Sequence, residues 1–223
     1  MDLESIVNYL LKENKATISY LAEISLTNEF LVKKLIEDLR GINIEDGIVS
    51  VENRLELAIS AIHKGISPYV VSRYLSWKDF EKELSEILEQ YGYEVLRNYR
   101  IRKPSRAEID IVAIKTGLAL IVDCKHWSPR SASRGRIEFA ANKQVERTKL
   151  LLENEEFLLL LGNKACIRRP CEVKLVPVLV TLVSKNYGLL NSVPVVPIKS
   201  FLNFLIEIDK LLELIIRISV KIE

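Results

Sequence analysis

Two apolar runs joined by a short polar turn stand out in the middle of the chain. Residues 108–114 and 118–125 are rich in β-branched and aliphatic side chains, and Lys115-Thr116-Gly117 separates them. Glycine supplies the positive φ that a tight hairpin needs, so the pattern predicts two antiparallel strands with Thr116-Gly117 as a two-residue loop. Four charged residues interrupt these otherwise apolar strands: Glu108, Asp110, Asp123 and Lys125.

The predicted register brings acidic residues of the two strands together. Counting outward from a two-residue loop pairs Ile111 with Val122, and the next step places Asp110 directly opposite Asp123. Directly opposed residues in a sheet have Cβ atoms roughly 4.5 to 5.5 Å apart. A three-residue turn with Gly117 in the left-handed region would move the aspartates to opposite faces, so the prediction depends on the turn.

Such an arrangement has a chemical consequence. Two carboxylates at that spacing repel strongly in a partly desolvated site, and a divalent cation would remove the repulsion. Side chains alternate between the faces of a strand, which puts Lys125 on the face of Asp123, and Glu108 on the face of Asp110. The Cys124 side chain then points to the other face.

The remaining periodicity predicts an α/β protein with a small helical region in front. Three short helices and a hairpin around Asp46-Gly47 are expected in the first fifty residues, at 3–12, 16–24, 28–40, 42–44 and 48–51. Thr27 is the expected cap of the third helix, and a further helix is expected at about 53–64, before the break at Gly65 to Pro68. This order resembles winged helix-turn-helix domains, and we expect a winged helix-like domain over residues 1–65.

Residues 66–223 are expected to form the second domain. Its predicted helices cover 79–91, 137–154 and 201–216, its later strands 172–183 and 193–198, and a basic loop 127–136. Mixed strands covered by helices on both sides indicate an α/β/α sandwich. In the helix at 79–91 the apolar stripe leaves Glu81 at one edge and Glu83 at the other, so the helical wheel does not choose between them.

The charged hairpin lies within a longer pattern that resembles the PD-(D/E)xK nuclease superfamily, in its restriction-endonuclease-like and archaeal resolvase-like branches. The resemblance rests on four segments, Trp77-Lys78-Asp79-Phe80-Glu81, Tyr91-Gly92-Tyr93-Glu94-Val95, Glu108-Ile109-Asp110 and Asp123-Cys124-Lys125-His126-Trp127. It covers about half of the chain, from near Trp77 to near Leu150. Ile109 stands where the pattern usually has proline.

The resemblance implies a restriction-endonuclease-like fold and a Mg²⁺-dependent DNA endonuclease. Asp110, Asp123 and the backbone carbonyl of Cys124 would hold Mg²⁺ or Mn²⁺, hard cations that prefer oxygen ligands. Lys125 would orient the attacking water or stabilise the transition state. Glu81, favoured over Glu83 by the resemblance, would hold a water or a second metal. No small-molecule cofactor is expected.

Charge is distributed unevenly along the chain, whose net charge is only +2. Residues 1–60 hold six Lys and Arg against eleven Asp and Glu, whereas residues 96–150 hold thirteen against five. A basic region around a carboxylate pair is expected of a protein that binds the DNA backbone. The candidate DNA-binding residues are Arg97, Arg100, Arg102, Lys103, Arg106, Arg130, Arg134, Arg136, Lys143, Gln144 and Arg147. The acidic first domain favours dimerisation or protein docking over direct DNA reading, and we expect a homodimer.

The composition disfavours membrane-spanning, secreted and iron–sulfur proteins. No apolar run reaches the roughly 18 residues of a spanning helix, and no basic-then-apolar leader opens the chain, so we expect a cytoplasmic protein without a membrane partner. Three cysteines do not supply an iron–sulfur cluster, and Cys166 with Cys171 could form a disulfide or remain two thiols. Abundant Ile, Glu and Lys indicate a thermophile, in keeping with the archaeal branch of the resemblance.

Two alternatives remain open from the sequence. A Holliday junction resolvase-like enzyme would prefer four-way junctions over linear duplexes. A non-catalytic DNA-binding or regulatory protein would keep the nuclease fold and bind DNA without cutting it.

Overall fold

A computed structural model describes residues 3–67, 70–71, 73–103, 105–125, 133–182 and 188–223. The chain divides into two compact units, Met1–Phe80 and Glu81–Glu223. Each unit has its own buried apolar residues.

The first unit contains helices α1 (Leu3–Glu13), α2 (Ile18–Ile24), α3 (Glu29–Ile36) and α4 (Arg54–His63), with strands β1 (Lys15–Thr17), β2 (Ile42–Glu45) and β3 (Ile48–Val51). The strands form an antiparallel sheet in the order β1-β3-β2. Asp46 and Gly47 both have positive φ, 50° and 74°, as a two-residue hairpin turn requires.

Local hydrogen bonding places the ends of these helices differently from the sequence pattern. Lys15–Thr17 is a strand rather than helix, because Ala16 pairs with Val49 and Thr17 caps α2 by accepting from the Tyr20 N–H. The cap of α3 is Asn28, whose side chain accepts from the Leu31 N–H, so the expectation of Thr27 was wrong by one residue. The predicted helix start at Ser67-Pro68 lies partly outside the described residues.

The second unit is built on a mixed seven-stranded sheet. Its strands are β4 (Glu94–Ile101), β5 (Ala107–Lys115), β6 (Leu118–Lys125), β7 (Cys171–Thr181), β8 (Gly188–Leu190), β9 (Val193–Pro197) and β10 (Ile218–Ile222). The order is β4-β5-β6-β7-β9-β8, and β10 pairs with the beginning of β7. β6 and β7 are parallel, whereas β4, β5 and β6 are antiparallel neighbours. The second unit therefore has a mixed α/β fold, as the sequence predicted.

The hairpin between β5 and β6 has the predicted register. Lys115 pairs with Leu118, so Thr116-Gly117 is a two-residue loop, and Gly117 has φ +73°. Ile111 pairs with Val122, as expected. β6 is buried from Leu118 to Cys124, which is typical of a strand covered on both faces.

The described helices from Trp77 onward are α5 (Trp77–Gln90), which begins in the first unit and continues in the second, α6 (Arg134–Leu151), α7 (Glu155–Ala165) and α8 (Phe201–Leu211), the last after a 3₁₀ turn at Ile198–Ser200. Ile137, Ala140 and Ala141 of α6 pack with Leu179 and Val195. On α7, Phe157, Leu161 and Ala165 pack in a second cluster with residues of β5, β6, β7 and β10. Sequence periodicity missed α7 and β10.

A disulfide closes the loop between α7 and β7. It joins Cys166 and Cys171, whose Cα atoms are 5.9 Å apart. Among the residues described, no helix combines the length and apolar character needed to cross a membrane.

Candidate active site

The two aspartates of the hairpin lie close together, just beyond its last paired residues. The pairing of the two strands ends at Ile111 and Val122; Asp110 comes just before Ile111 on β5, and Asp123 comes just after Val122 on β6. The Asp110 Oδ2 accepts a 2.7 Å hydrogen bond from the Cys124 N–H, which ties the first carboxylate to the second strand. Burial and the Asp123 charge raise the pKa of Asp110 to about 6. The environment of Asp110 therefore disfavours its charged form, and a positive charge placed nearby would stabilise it.

Asp123 is buried, with only 2% of the residue exposed, and two cations face its carboxylate. Arg147 Nη1 donates a 2.7 Å hydrogen bond to Oδ1, and Lys125 Nζ lies 2.7 Å from Oδ2. The second contact is an ion pair without hydrogen-bond geometry, so Oδ2 accepts no hydrogen bond within the described part of the chain. A buried carboxylate of this kind is stable because its charge is compensated at short distance.

Helix α6 is fixed to the sheet by the side chain of Gln144. Its Nε2 donates a 2.7 Å hydrogen bond to the Ile121 carbonyl, two residues before Asp123, and the residue is fully buried. Arg147 lies three residues further along the helix, about one turn, and so reaches Asp123. Gln144, which the sequence grouped with DNA-binding residues, cannot meet the DNA backbone from this buried position. Gln144 instead holds helix α6 in position against strand β6.

Glu81 lies in the second unit, on α5, and is 5% exposed, whereas Glu83 is half-buried. Burial, Asp110, Asp123 and Glu81 together raise the pKa of the Cys124 thiol. The charges of all three acids therefore act on Cys124, but among the described residues no three His, Cys, Asp or Glu side chains are close enough to share one metal ion. Glu81 is near the aspartate pair without completing a three-carboxylate set.

The donors present fit one hard divalent cation. Burial and, after it, the nearby Asp123 charge raise the pKa of Asp110, and a bound cation would favour the ionised form against both. Asp123 Oδ2 is a buried oxygen that accepts no hydrogen bond within the described residues. Each carboxylate oxygen has two lone-pair sites, so the ion pairs of Asp123 leave acceptor capacity. Two carboxylates and a backbone carbonyl with waters are a usual Mg²⁺ set.

A groove of about 470 Å³ opens beside Asp123 and Lys125. Its other described lining residues belong to α6: Gly135, Arg136, Phe139, Ala140, Lys143 and Arg147. The structure therefore brings the predicted DNA-binding residues Arg136, Lys143 and Arg147 to the carboxylate site.

Other candidate DNA-binding residues lie elsewhere. Arg100, Arg102, Lys103 and Arg106 line a second cavity of about 540 Å³ at the end of β4 and the start of β5, and Arg97 precedes them on β4. Arg100 is also paired with Glu108. On α6, Arg134 forms an exposed ion pair with Glu138. Arg130 lies outside the described residues, as do His126 and Trp127.

Two features of the site escaped the sequence. Arg147 was assigned only to DNA, although it is the hydrogen-bond partner of Asp123. Phe139 was not singled out, although it is 66% exposed in the groove. The spacing of Ile137, Ala141 and Gln144 already indicated which face of α6 is buried, and that face places Arg147 near the sheet.

Comparison with known proteins supports a nuclease-related unit. Residues 76–180 match the model of a family described as nuclease-related domain, abbreviated NERD. The chain is also 30% identical over 132 residues to an uncharacterized protein of Archaeoglobus fulgidus. That match covers 59% of this chain and 90% of the archaeal protein, so the two belong to one protein family.

One solved structure aligns with nearly the whole chain. Protein VC1899 from Vibrio cholerae matches 95% of this chain and 51% of its own, with 12% identity and a TM-score of 0.34. The chain thus spans about half the length of that protein.

Proposed function

We propose that this protein is a divalent-metal-dependent endonuclease that hydrolyses phosphodiester bonds in DNA, because residues 76–180 match the model of a nuclease-related domain. The observation that carries the proposal is the Asp110–Asp123 pair with Lys125 on the same hairpin, beside a groove lined by basic residues of α6. The assignment of this site to the PD-(D/E)xK kind is part of the proposal and is finer than the match to a nuclease-related domain.

Each residue has a distinct role in this proposal. Asp110 and Asp123 hold Mg²⁺ or Mn²⁺ together with the Cys124 carbonyl, and the cation supplies Lewis-acid stabilisation of charge on the phosphoryl oxygens. Lys125, 24% exposed at the edge of the groove, places a positive charge beside the phosphate. Arg147 keeps the Asp123 carboxylate in one orientation through the Oδ1 hydrogen bond. Glu81 is proposed as a nearby acid that orders water.

Cleavage of defined DNA tests the proposal. Plasmid, linear duplex, single-stranded and four-way-junction DNA are incubated with Mg²⁺ or Mn²⁺ and with wild-type protein, Asp123→Asn or Lys125→Met. We expect cleavage only with a divalent cation, and a loss of at least about 100-fold in each variant, the usual effect of removing a transition-state electrostatic group. Leu159→Ala, an exposed residue of α7, is the matched control for purification. Metal-dependent cleavage that survives both site substitutions would overturn the proposal.

A second candidate is a non-catalytic DNA-binding protein that keeps the nuclease fold. The observation that favours it is that the described residues gather two carboxylates rather than three, with Asp123 already ion-paired. Salt-sensitive DNA binding without cleavage in any divalent cation would support this role, whereas any cleavage lost in Asp123→Asn would exclude it.

A further inference from the structure

Phe139 and three cations form one stripe along the outer face of α6. Arg136, Phe139, Lys143 and Arg147 follow the spacing i, i+3, i+7 and i+11, so they share a face of the helix. All four line the groove of about 470 Å³ that also contains Asp123 and Lys125. At 1.5 Å per residue, the stripe extends about 16 Å along the helix.

The exposure of Phe139 is unusual for its surroundings. Single exposed apolar residues are common and need no explanation. This ring, 66% exposed, instead lies between Arg136 and Lys143 in a groove that ends at a buried carboxylate. An aromatic ring interleaved with cations is the arrangement that binds unpaired nucleic acid, because bases stack on the ring while phosphates meet the cations.

Arg136 and Lys143 of the stripe have exposed side chains. Lys143 is 3.3 Å from Glu146, but both side chains are more than half exposed, and such surface pairs are weak. Arg136 is exposed and lines the groove. Arg147 donates its hydrogen bond to Asp123, so we do not count it as a contact to the DNA backbone. It lies at the part of the groove next to the carboxylate site.

We infer that the α6 groove binds an unpaired DNA strand, with a base stacked on Phe139 and backbone phosphates on Arg136 and Lys143. The inference rests on the proposed nuclease function, for which it names the substrate class. In a duplex the faces of the bases are already stacked on each other, so a phenyl ring on a helix surface gains stacking only from an unpaired base. The preferred substrates are single strands, overhangs and gaps.

Binding of matched oligonucleotides tests this inference. A short fluorescein-labelled single strand and the blunt duplex of the same sequence are titrated by anisotropy in EDTA with wild type, Phe139→Ala, Phe139→Leu and Phe139→Trp. Loss of one stacked base predicts about 5- to 150-fold weaker single-strand binding for Phe139→Ala and Phe139→Leu. We expect Phe139→Trp to bind like wild type, and duplex binding to change by no more than about twofold. Leu159→Ala, with 64% exposure on α7, is the matched apolar control.

The cations have a separate readout. Arg136→Met and Lys143→Met each remove one phosphate contact, so each should reduce the salt dependence of single-strand binding by roughly 0.7 in the log–log slope. An unchanged slope in both variants would overturn their assignment.

Other outcomes separate the inference from the function. Equal losses for strand and duplex, or none, overturn the inference even if DNA is cut. A changed molecular mass of Phe139→Ala in light scattering, with unchanged strand binding, would identify an interface between two copies and also overturn it. Phe139-dependent strand binding without cleavage in any cation supports the groove and overturns the nuclease function.

Discussion

Replacing Arg147 by methionine should destabilise the second unit, because it removes the partner of a buried carboxylate. Asp123 has 3% of its side chain exposed and Arg147 has 32%, with 2.7 Å between Nη1 and Oδ1. A charge pair at about 4 Å is worth roughly 4 kcal/mol at an effective dielectric constant of 20, and breaking a buried pair typically costs about 3 to 5 kcal/mol. Lys125 still faces the other oxygen and Arg147 is a third exposed, so we expect a loss of about 2 kcal/mol.

The assay is urea unfolding in EDTA, combined with a double-mutant cycle. Wild type, Arg147→Met, Asp123→Asn and the double variant give the coupling energy of the pair. We expect a coupling of about 2 kcal/mol, with Arg147→Met costing little once Asp123 is neutral. Arg134→Met removes an exposed ion pair with Glu138 of the same helix and should cost less than about 0.5 kcal/mol.

A coupling energy below about 0.5 kcal/mol would refute this reasoning, since the ion pair would then contribute no more than an exposed one. A cost for Arg134→Met equal to that for Arg147→Met would refute it as well, because burial is the only difference invoked.

Three further predictions concern stability. Reduction of the Cys166–Cys171 disulfide, which closes a loop with a sequence separation of 5, should lower the free energy of unfolding by about 2 kcal/mol. Gly41→Ala should destabilise the first unit by at least about 2 kcal/mol, because Gly41 has φ +76° and an added Cβ would overlap the Asn53 carbonyl oxygen. Because the pKa of Asp110 is raised to about 6 in the folded protein, the free energy of unfolding without added metal should fall by at most about 3 kcal/mol as the pH rises from 4 to 7.

Each has a control and a contrary result. A Cys166→Ser/Cys171→Ser variant should be insensitive to reductant, and equal sensitivity would contradict the disulfide prediction. Gly47→Ala has φ +74° but open space at its Cβ, so it should cost less than Gly41→Ala. A raised carboxyl pKa favours folding below the unfolded pKa and ceases to do so above the folded one. In EDTA, the free energy of unfolding of Asp110→Asn minus that of wild type should therefore increase as the pH rises from 4 to 7. A difference that does not depend on pH would contradict the assignment.

The hairpin at the centre of the site could be predicted because local rules determine it. A two-residue loop with Gly117 at positive φ fixes the register, which pairs Ile111 with Val122 and leaves Asp110 and Asp123 one residue beyond that pair. The same local reasoning located the turn at Asp46-Gly47.

Elements that depend on distant partners could not be predicted in this way. Residues 218–222 form a strand only because the beginning of β7 offers them an edge. Thr17 is both the last residue of a strand and the cap of a helix. The spacing of apolar residues in the helix does not reveal that Ala16 pairs with the distant Val49. The Arg147–Asp123 ion pair joins residues 24 positions apart, so only the packing of α6 on the sheet, anchored by Gln144, brings them together.

The direct test of the site is whether Asp110 and Asp123 act together on one divalent cation. Calorimetric titration of Mn²⁺ into wild type, Asp110→Asn and Asp123→Asn, each shown to be folded by urea unfolding, measures this without any cleavage. We predict one Mn²⁺ per chain in the wild type and a loss of at least about tenfold in affinity in each variant, since each removes a charged oxygen ligand. Mn²⁺ binding of wild-type strength in both folded variants would contradict the assignment of the aspartate pair as a metal site.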